Sequence, residues 1–359
     1  MWRRRKITSF CLCIIVIICF PLAPYAAEQL PLIKIIATGG TIACSYDAEK
    51  GGWVPALKGE DLVKAVPELK EIVRLEVEEM PPDISWSDAT VDHWIEVSKR
   101  LNEVCADPKV AGVVITEGTD AMDEGPYFMD LTLTSEKPVV CVGSLRGGTH
   151  KWSDGPFNLY NAVRVAACPE AWGKGVMLVM NGKIFAARDV IKTHTHAIET
   201  FQSPEFGPIG VADLDEVRFY REPLRRLTIP LDPEAKTLPR VEIVFHYAGR
   251  DGRVIRYLLN RGDLDGLVVA ACGIGNAGRV LGKAIEEVRA KGIPVVLSTR
   301  VATGRIIPIY ASPGRGIPLK KAGVVMGANL GPWRARILLM LAMTKTKDPK
   351  ELQKYFDAL

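Results

Sequence analysis

Apolar runs of strand length alternate with stretches whose apolar residues recur at helical spacing, and this alternation restricts the chain to few folds. Residues 32–38 (LIKIIAT), 110–115 (VAGVVI), 138–142 (PVVCV) and 175–180 (GVMLVM) read as buried strands, and residues 89–105, 122–133 and 155–168 as helices between them. Strands apolar on both faces need cover on both, which predicts a parallel sheet in an α/β fold. Asp154, ahead of Gly155 and Pro156, is the expected N-cap of the third helix. From about residue 213 to 240 the pattern gives way to charge and proline, and a linker is placed at 221–240. Strand-like runs return at 241–247, 266–272 and 294–298, with helical stretches near 252–260 and 279–291. The expectation is a larger N-terminal parallel-sheet domain, residues 28–220, and a smaller C-terminal α/β domain, residues 241–359.

The formal charge of +4 suggests a polyanion-binding protein until its origin is traced. Arg3, Arg4, Arg5 and Lys6 account for all of the excess, and the apolar stretch from Ile7 to Ala23 follows them without an acidic residue. A basic start, an apolar run and small residues at Ala26 and Ala27 form the pattern of a signal peptide over residues 1–27. An uncleaved anchor is the competing reading, in which the leader alone touches a membrane. Either way the body is expected in the periplasm or secreted, and its balanced charge argues against nucleic acid. Three of the eight cysteines belong to the leader, and the other five form no CxxC pattern. Of those, Cys141 and Cys272 read as core residues.

Chemistry is expected where strands end. Thr38, Gly39, Gly40 and Thr41 follow the first strand, where paired glycines let backbone approach a ligand and Thr41 offers a hydroxyl. A simple tight turn or phosphate loop would look the same. Gly118, Thr119 and Asp120 close the strand GVVIT, and two strands of one parallel sheet bring Thr41 and Thr119 to one edge. Asp120 suits either the cap of the next helix or a substrate ammonium. Lys192, in ARDVIKT, is a base if held in a dry site beside a hydroxyl and otherwise a surface lysine. His194 and His196 lack an evident carboxylate partner, so no metal is expected. GxSxG and GxxxxGK[ST] patterns are missing from the sequence.

IATGGTIA at 36–43, VVITEGTDAMDE at 113–124, DGPFNLYNAV at 154–163 and ARDVIKTHT at 187–195 together resemble the bacterial-type L-asparaginase (asparaginase/glutaminase) family. The similarity continues through STRVATG at 298–304 and TKTKDPKEL at 344–352. The resemblance implies a two-domain α/β fold, a homotetramer or dimer, a small-molecule amide substrate, no cofactor, and hydrolysis through a threonyl acyl-enzyme. By motif position it implies Thr41 as nucleophile and Thr119, Asp120 and Lys192 as its supporting cluster, with Gly40, Gly118 and Asp120 at the substrate.

Several positions depart from the family pattern. A loop tyrosine is replaced by Trp53. The segment expected to carry a carboxylate-binding serine reads Ile84-Ser85-Trp86-Ser87-Asp88, with Trp86 at the serine position and Ser85 or Ser87 as substitutes. The histidine before Gly118 is Glu117. In the second domain Asn276 is kept, but a following asparagine is Gly278. These changes gather around the substrate's head, with Trp53 and Trp86 adding flat apolar area. An amide bulkier or less charged than asparagine is therefore expected, unless both indoles merely pack against the loop. A periplasmic amino-acid or amide binding protein without turnover is the rival reading, and a nucleotide-binding protein is disfavoured for want of a ribose-binding acid.

Overall fold

The computed structural model describes residues 29–80, 86–223 and 227–359. The expected signal peptide lies outside these residues, as does Ser85. Among the described residues no helix is long and apolar enough to cross a membrane.

In the N-terminal lobe, β1 (Leu32–Ala37) is followed by the hairpin β2 (Cys44–Asp47) and β3 (Gly52–Pro55), the short helices α1 (Gly59–Lys64) and α2 (Leu69–Ile72), and β4 (Arg74–Glu79). Then come α3 (Val91–Ala106), β5 (Val110–Thr116), α4 (Gly125–Thr132), β6 (Val139–Val142), α5 (Gly155–Ala167) and β7 (Val176–Met180). Short strands complete the lobe: β8 (Lys183–Ala186), β9 (Ile191–Lys192), β10 (Phe201–Gln202), β11 (Gly210–Ala212) and β12 (Val217–Phe219). The main sheet runs β12-β11-β8-β7-β6-β5-β1-β4. It is parallel from β4 to β7, as the apolar runs predict, and antiparallel from β7 through β12. The antiparallel edge comes from a tight reversal at Asn181 and Gly182, both at positive φ, which leaves no length for a crossover helix between β7 and β8.

The centre of the sheet is dry. Val113, Val114 and Ile115 of β5 have no exposed surface, and each contributes about 1.5–3 kcal/mol of burial. Helix α3 has the expected amphipathic face, burying Trp94, Ile95, Val97, Leu101 and Val104. Asp154 is the N-cap of α5 as expected, but its carboxylate takes no backbone N–H there; from the helix it accepts the Asn158 side-chain N–H at 3.0 Å. It also accepts from the backbone N–H groups of Leu145 (3.1 and 3.0 Å) and Arg146 (3.0 Å), tying the loop after β6 to the helix.

The C-terminal lobe holds a four-stranded sheet of β13 (Val241–Phe245), β14 (Gly266–Ala271), β15 (Val295–Thr299) and β16 (Val325–Met326), parallel throughout. Helices α6 (Arg253–Arg261), α7 (Gly278–Ala290), α8 (Gly316–Lys321), α9 (Pro332–Met343) and α10 (Pro349–Asp357) surround it. Helix α9 buries Ala335 and every residue from Ile337 to Met343, so it lacks a polar face and carries little periodic signal. It packs on β13, β14 and α4, joining the lobes in one core. Cys141 is in the sheet interior, whereas Cys272 is half-buried in the loop after β14.

Candidate active site

Adjacent parallel strands deliver the two threonine loops to one edge. β1 pairs with β5 in parallel, Ala37 opposite Thr116, so both chains leave the sheet at the same level. Thr38 fixes this end by donating its N–H (3.1 Å) and its hydroxyl (2.6 Å) to the Thr116 carbonyl. Gly39 and Gly40 then take φ of 82° and 90°, and Thr41 opens a 3₁₀ turn, Thr41–Ala43. A Cβ on Gly40 would stand 2.5 Å from the Gly118 nitrogen, so glycine is what lets the two loops touch. Thr119 is consequently buried behind Gly118, while Asp120 remains exposed.

Lys192 joins them from β9. Its Nζ donates to Thr119 Oγ1 at 3.0 Å and to Asp120 Oδ1 at 2.8 Å. Asp120 is thus engaged by the lysine and caps nothing: α4 begins at Gly125, with Glu124 as its N-cap. A layer of buried charge holds the lysine strand from behind. Arg334 of α9 donates to the Val190 carbonyl at 2.7 Å, two residues before Lys192. The Asp123 carboxyl takes the Lys192 backbone N–H; burial raises its pKa while the Arg334 charge opposes the rise. Arg188 pairs with Asp189 and donates to Asn329 Oδ1 at 2.8 Å. Sequence reasoning missed Arg334, Asp123 and Asn329, because nothing local marks an arginine in an apolar helix as the neighbour of a loop far back in the chain.

Gly40, Thr41, Cys44, Trp53, Pro55, Trp86, Gly118, Thr119 and Asp120 line a cavity of about 220 Å³. Trp86 is 5% exposed, and its indole N–H donates to the carbonyl and hydroxyl oxygens of Thr38, both at 3.1 Å. Trp53 is 42% exposed on the hairpin, edge-on to Tyr46 at 5.6 Å and beside His150 at 5.8 Å. One indole is therefore fixed in the wall and the other stands at the rim. Cys44 and Pro55 complete the wall without having been foreseen; Cys44 is only three residues past Thr41, and that proximity was the one available signal. Ser87 is exposed in a 3₁₀ turn and Asn276 half-buried in the loop before α7, both away from the cavity lining. Near Lys192, His194 Nδ1 accepts the backbone N–H groups of His196 (3.2 Å) and Ala197 (3.1 Å). Among the described residues no cluster of His, Cys, Asp or Glu could hold a metal.

Glu117 has no exposed surface, its carboxylate oxygens lack an N–H or O–H partner, and burial pushes its pKa up to about 8 although the Cys141 thiol beside it opposes the rise. It is consequently a neutral acid at pH 7, directly under the Gly118–Asp120 turn.

Known proteins share the sequence pattern and the fold of this chain. Residues 32–225 match the family model described as "Asparaginase, N-terminal", and residues 240–356 match "Glutaminase/Asparaginase C-terminal domain". The chain is 40% identical over 336 residues to the "Probable L-asparaginase periplasmic" of Haemophilus influenzae, covering 92% of this chain and 94% of that one. It is 35% identical over 354 residues to the "Glutaminase-asparaginase" of Pseudomonas fluorescens, covering 94% of each. A crystal structure titled probable cytoplasmic L-asparaginase, from Campylobacter jejuni, superposes with a TM-score of 0.83 at 36% identity, over 92% of this chain and 100% of that one. With both domain models matched in order and relatives aligned nearly end to end, the chain belongs to the asparaginase/glutaminase family of amidohydrolases.

Proposed function

We propose that this protein hydrolyses a side-chain amide to the acid and ammonia through an ester on Thr41. The observation that carries the reading is the hydrogen-bonded chain from Thr119 Oγ1 through Lys192 Nζ to Asp120 Oδ1, at the wall of the cavity that Thr41 lines. Thr41 Oγ bonds to the amide carbon while its proton passes to that chain, with Lys192 as base and Asp120 orienting it or a substrate ammonium. Backbone N–H groups of the Gly118–Asp120 turn face the developing oxyanion. The C–N bond breaks as nitrogen takes up the proton and leaves as ammonia, and water then cleaves the ester, restoring the Thr41 hydroxyl.

The lysine contact favours a second assignment, with Thr119 as the attacking hydroxyl, since Thr119 is the threonine that Lys192 touches. Mass spectrometry of enzyme quenched during turnover separates the two: an acyl adduct is expected on the peptide containing Thr41 and lost in Thr41→Ala, with ammonia release falling at least 10³-fold, the order of nucleophile deletions. An adduct on the Thr119 peptide would reverse the roles, and saturable amide binding without ammonia release would favour a binding protein.

The indoles of Trp53 and Trp86 support an amide bulkier than free asparagine. The basic and apolar pattern of residues 1–27 supports export, which cell fractionation checks. A dimer or tetramer rests on the family alone, and light scattering of the purified chain measures it.

A further inference from the structure

We propose that the amide hydrolysed here keeps its amino group but carries no free α-carboxylate: the pocket takes an asparaginyl unit whose α-carboxyl is itself an amide, as at the N-terminus of a peptide. This deepens the hydrolase reading above and rests on it.

Trp86 forms an apolar part of the cavity wall. Both hydrogen-bond acceptors of Trp86 belong to Thr38, so its only N–H is spent and its ring offers the cavity carbon alone. The indole is also immovable. A Cβ on Gly118 would lie 2.5 Å from Trp86 Cβ and 2.7 Å from its Cδ1, so the ring is in close contact with the backbone that carries Thr119. Trp53, which lines the same cavity, is seated on Gly147, where a Cβ would be 2.2 Å from the indole, and Pro55 is in the lining too. Two indoles and a proline thus give the cavity much of its apolar lining.

Charge points the same way. Asp120 lines the cavity with 65% of its side chain exposed, while the Lys192 side chain is 18% exposed and its Nζ is turned toward Thr119 and Asp120. An amino group on the substrate finds a carboxylate and aromatic faces, both favourable to a cation. A carboxylate at the head would lose its water against indole carbon, beside a like charge and the negative faces of two rings. A neutral carboxamide avoids these costs and stacks on the rings. The cavity has room for it, with a volume near 220 Å³. The exposed Trp53 marks a rim where a peptide chain continues into solvent.

The test compares ammonia release from L-asparagine with that from L-asparagine α-N-methylamide, whose only primary amide is in the side chain. The methylamide is expected to have a kcat/KM at least tenfold higher. Trp86→Phe keeps the apolar wall and should keep the ratio; Trp86→Ser should narrow it. If the serine variant does not fold, Trp53→Ala at the exposed rim gives the same readout. Equal or faster turnover of free asparagine would overturn the substrate assignment and leave the hydrolase reading standing. Release of ammonia from neither compound, nor from glutamine, would remove both.

Discussion

Glu117 gives the sharpest physical test of the site. The perturbation is Glu117→Gln, which has the shape and hydrogen-bonding atoms of the protonated acid and cannot ionise. In the folded protein the carboxyl titrates near 8, against a reference value of 4.5 for the unfolded chain. Between those values the folded state holds one more proton than the unfolded state, so stability must fall as pH rises through the window. The slope is about 1.4 kcal/mol per pH unit. Over the interval from 4.5 to about 8 it accumulates to at most about 5 kcal/mol, comparable with the whole stability of an ordinary domain.

Denaturant unfolding of both proteins at each pH from 5 to 9, followed by tryptophan fluorescence, measures the difference, in which the other titrating groups cancel. The two proteins should have nearly equal midpoints at pH 5. The glutamine variant should gain steadily above that and level off past pH 8. The same proton should bear on turnover, because Glu117 adjoins Gly118 and Thr119: an alkaline loss of kcat near pH 8 is expected in the parent and not in the variant. A stability difference that stays constant from pH 5 to 9 would refute the buried neutral acid.

Two further substitutions probe what assembles the site. Gly40→Ala forces a Cβ to 2.5 Å from the Gly118 backbone at a φ of 90°, so kcat should drop at least 100-fold and the melting temperature by several degrees; an active, equally stable variant would show that the two loops need not touch. Arg334→Met leaves the buried Val190 carbonyl without its donor and removes a charge that opposes the rise in the Asp123 pKa, at a cost of about 1–3 kcal/mol for the unsatisfied group. It should also lower kcat 10- to 100-fold with little change in KM, and unchanged kcat in folded protein would dismiss Arg334 as a positioning residue for Lys192.

Much of the fold was legible because its signal is local. Runs such as residues 110–115 are apolar throughout, which only a strand covered on both faces requires, and β5 is that strand. The 16-residue helix α3 carried its 3.6-residue period in its own sequence. Helix α9 did not, being apolar nearly all round, and the antiparallel edge of β8, β11 and β12 consists of strands of three to four residues, too short for a period. The motif residues Thr41, Thr119, Asp120 and Lys192 could be picked out by where they follow strands, but the jobs of Asp120 and Asp154 could not. Asp120 looked like a helix cap and instead holds Lys192 from another element, while Asp154 does stand at the N-cap of α5 but spends its carboxylate on the loop after β6 and on Asn158.

Residue order alone sets the α/β alternation, the glycines that let two loops approach, and the identities of the hydroxyls, lysine and carboxylate near the strand ends. These are set by residue type and neighbour spacing, which act within a few residues. The tertiary structure decided which way Trp86 spends its N–H, that Trp53 stands over the cavity, that Glu117 is sealed from water, and that an arginine from the far lobe braces the lysine strand. Those outcomes depend on contacts between residues tens to more than a hundred positions apart, whose energies exist only once the core has closed around them.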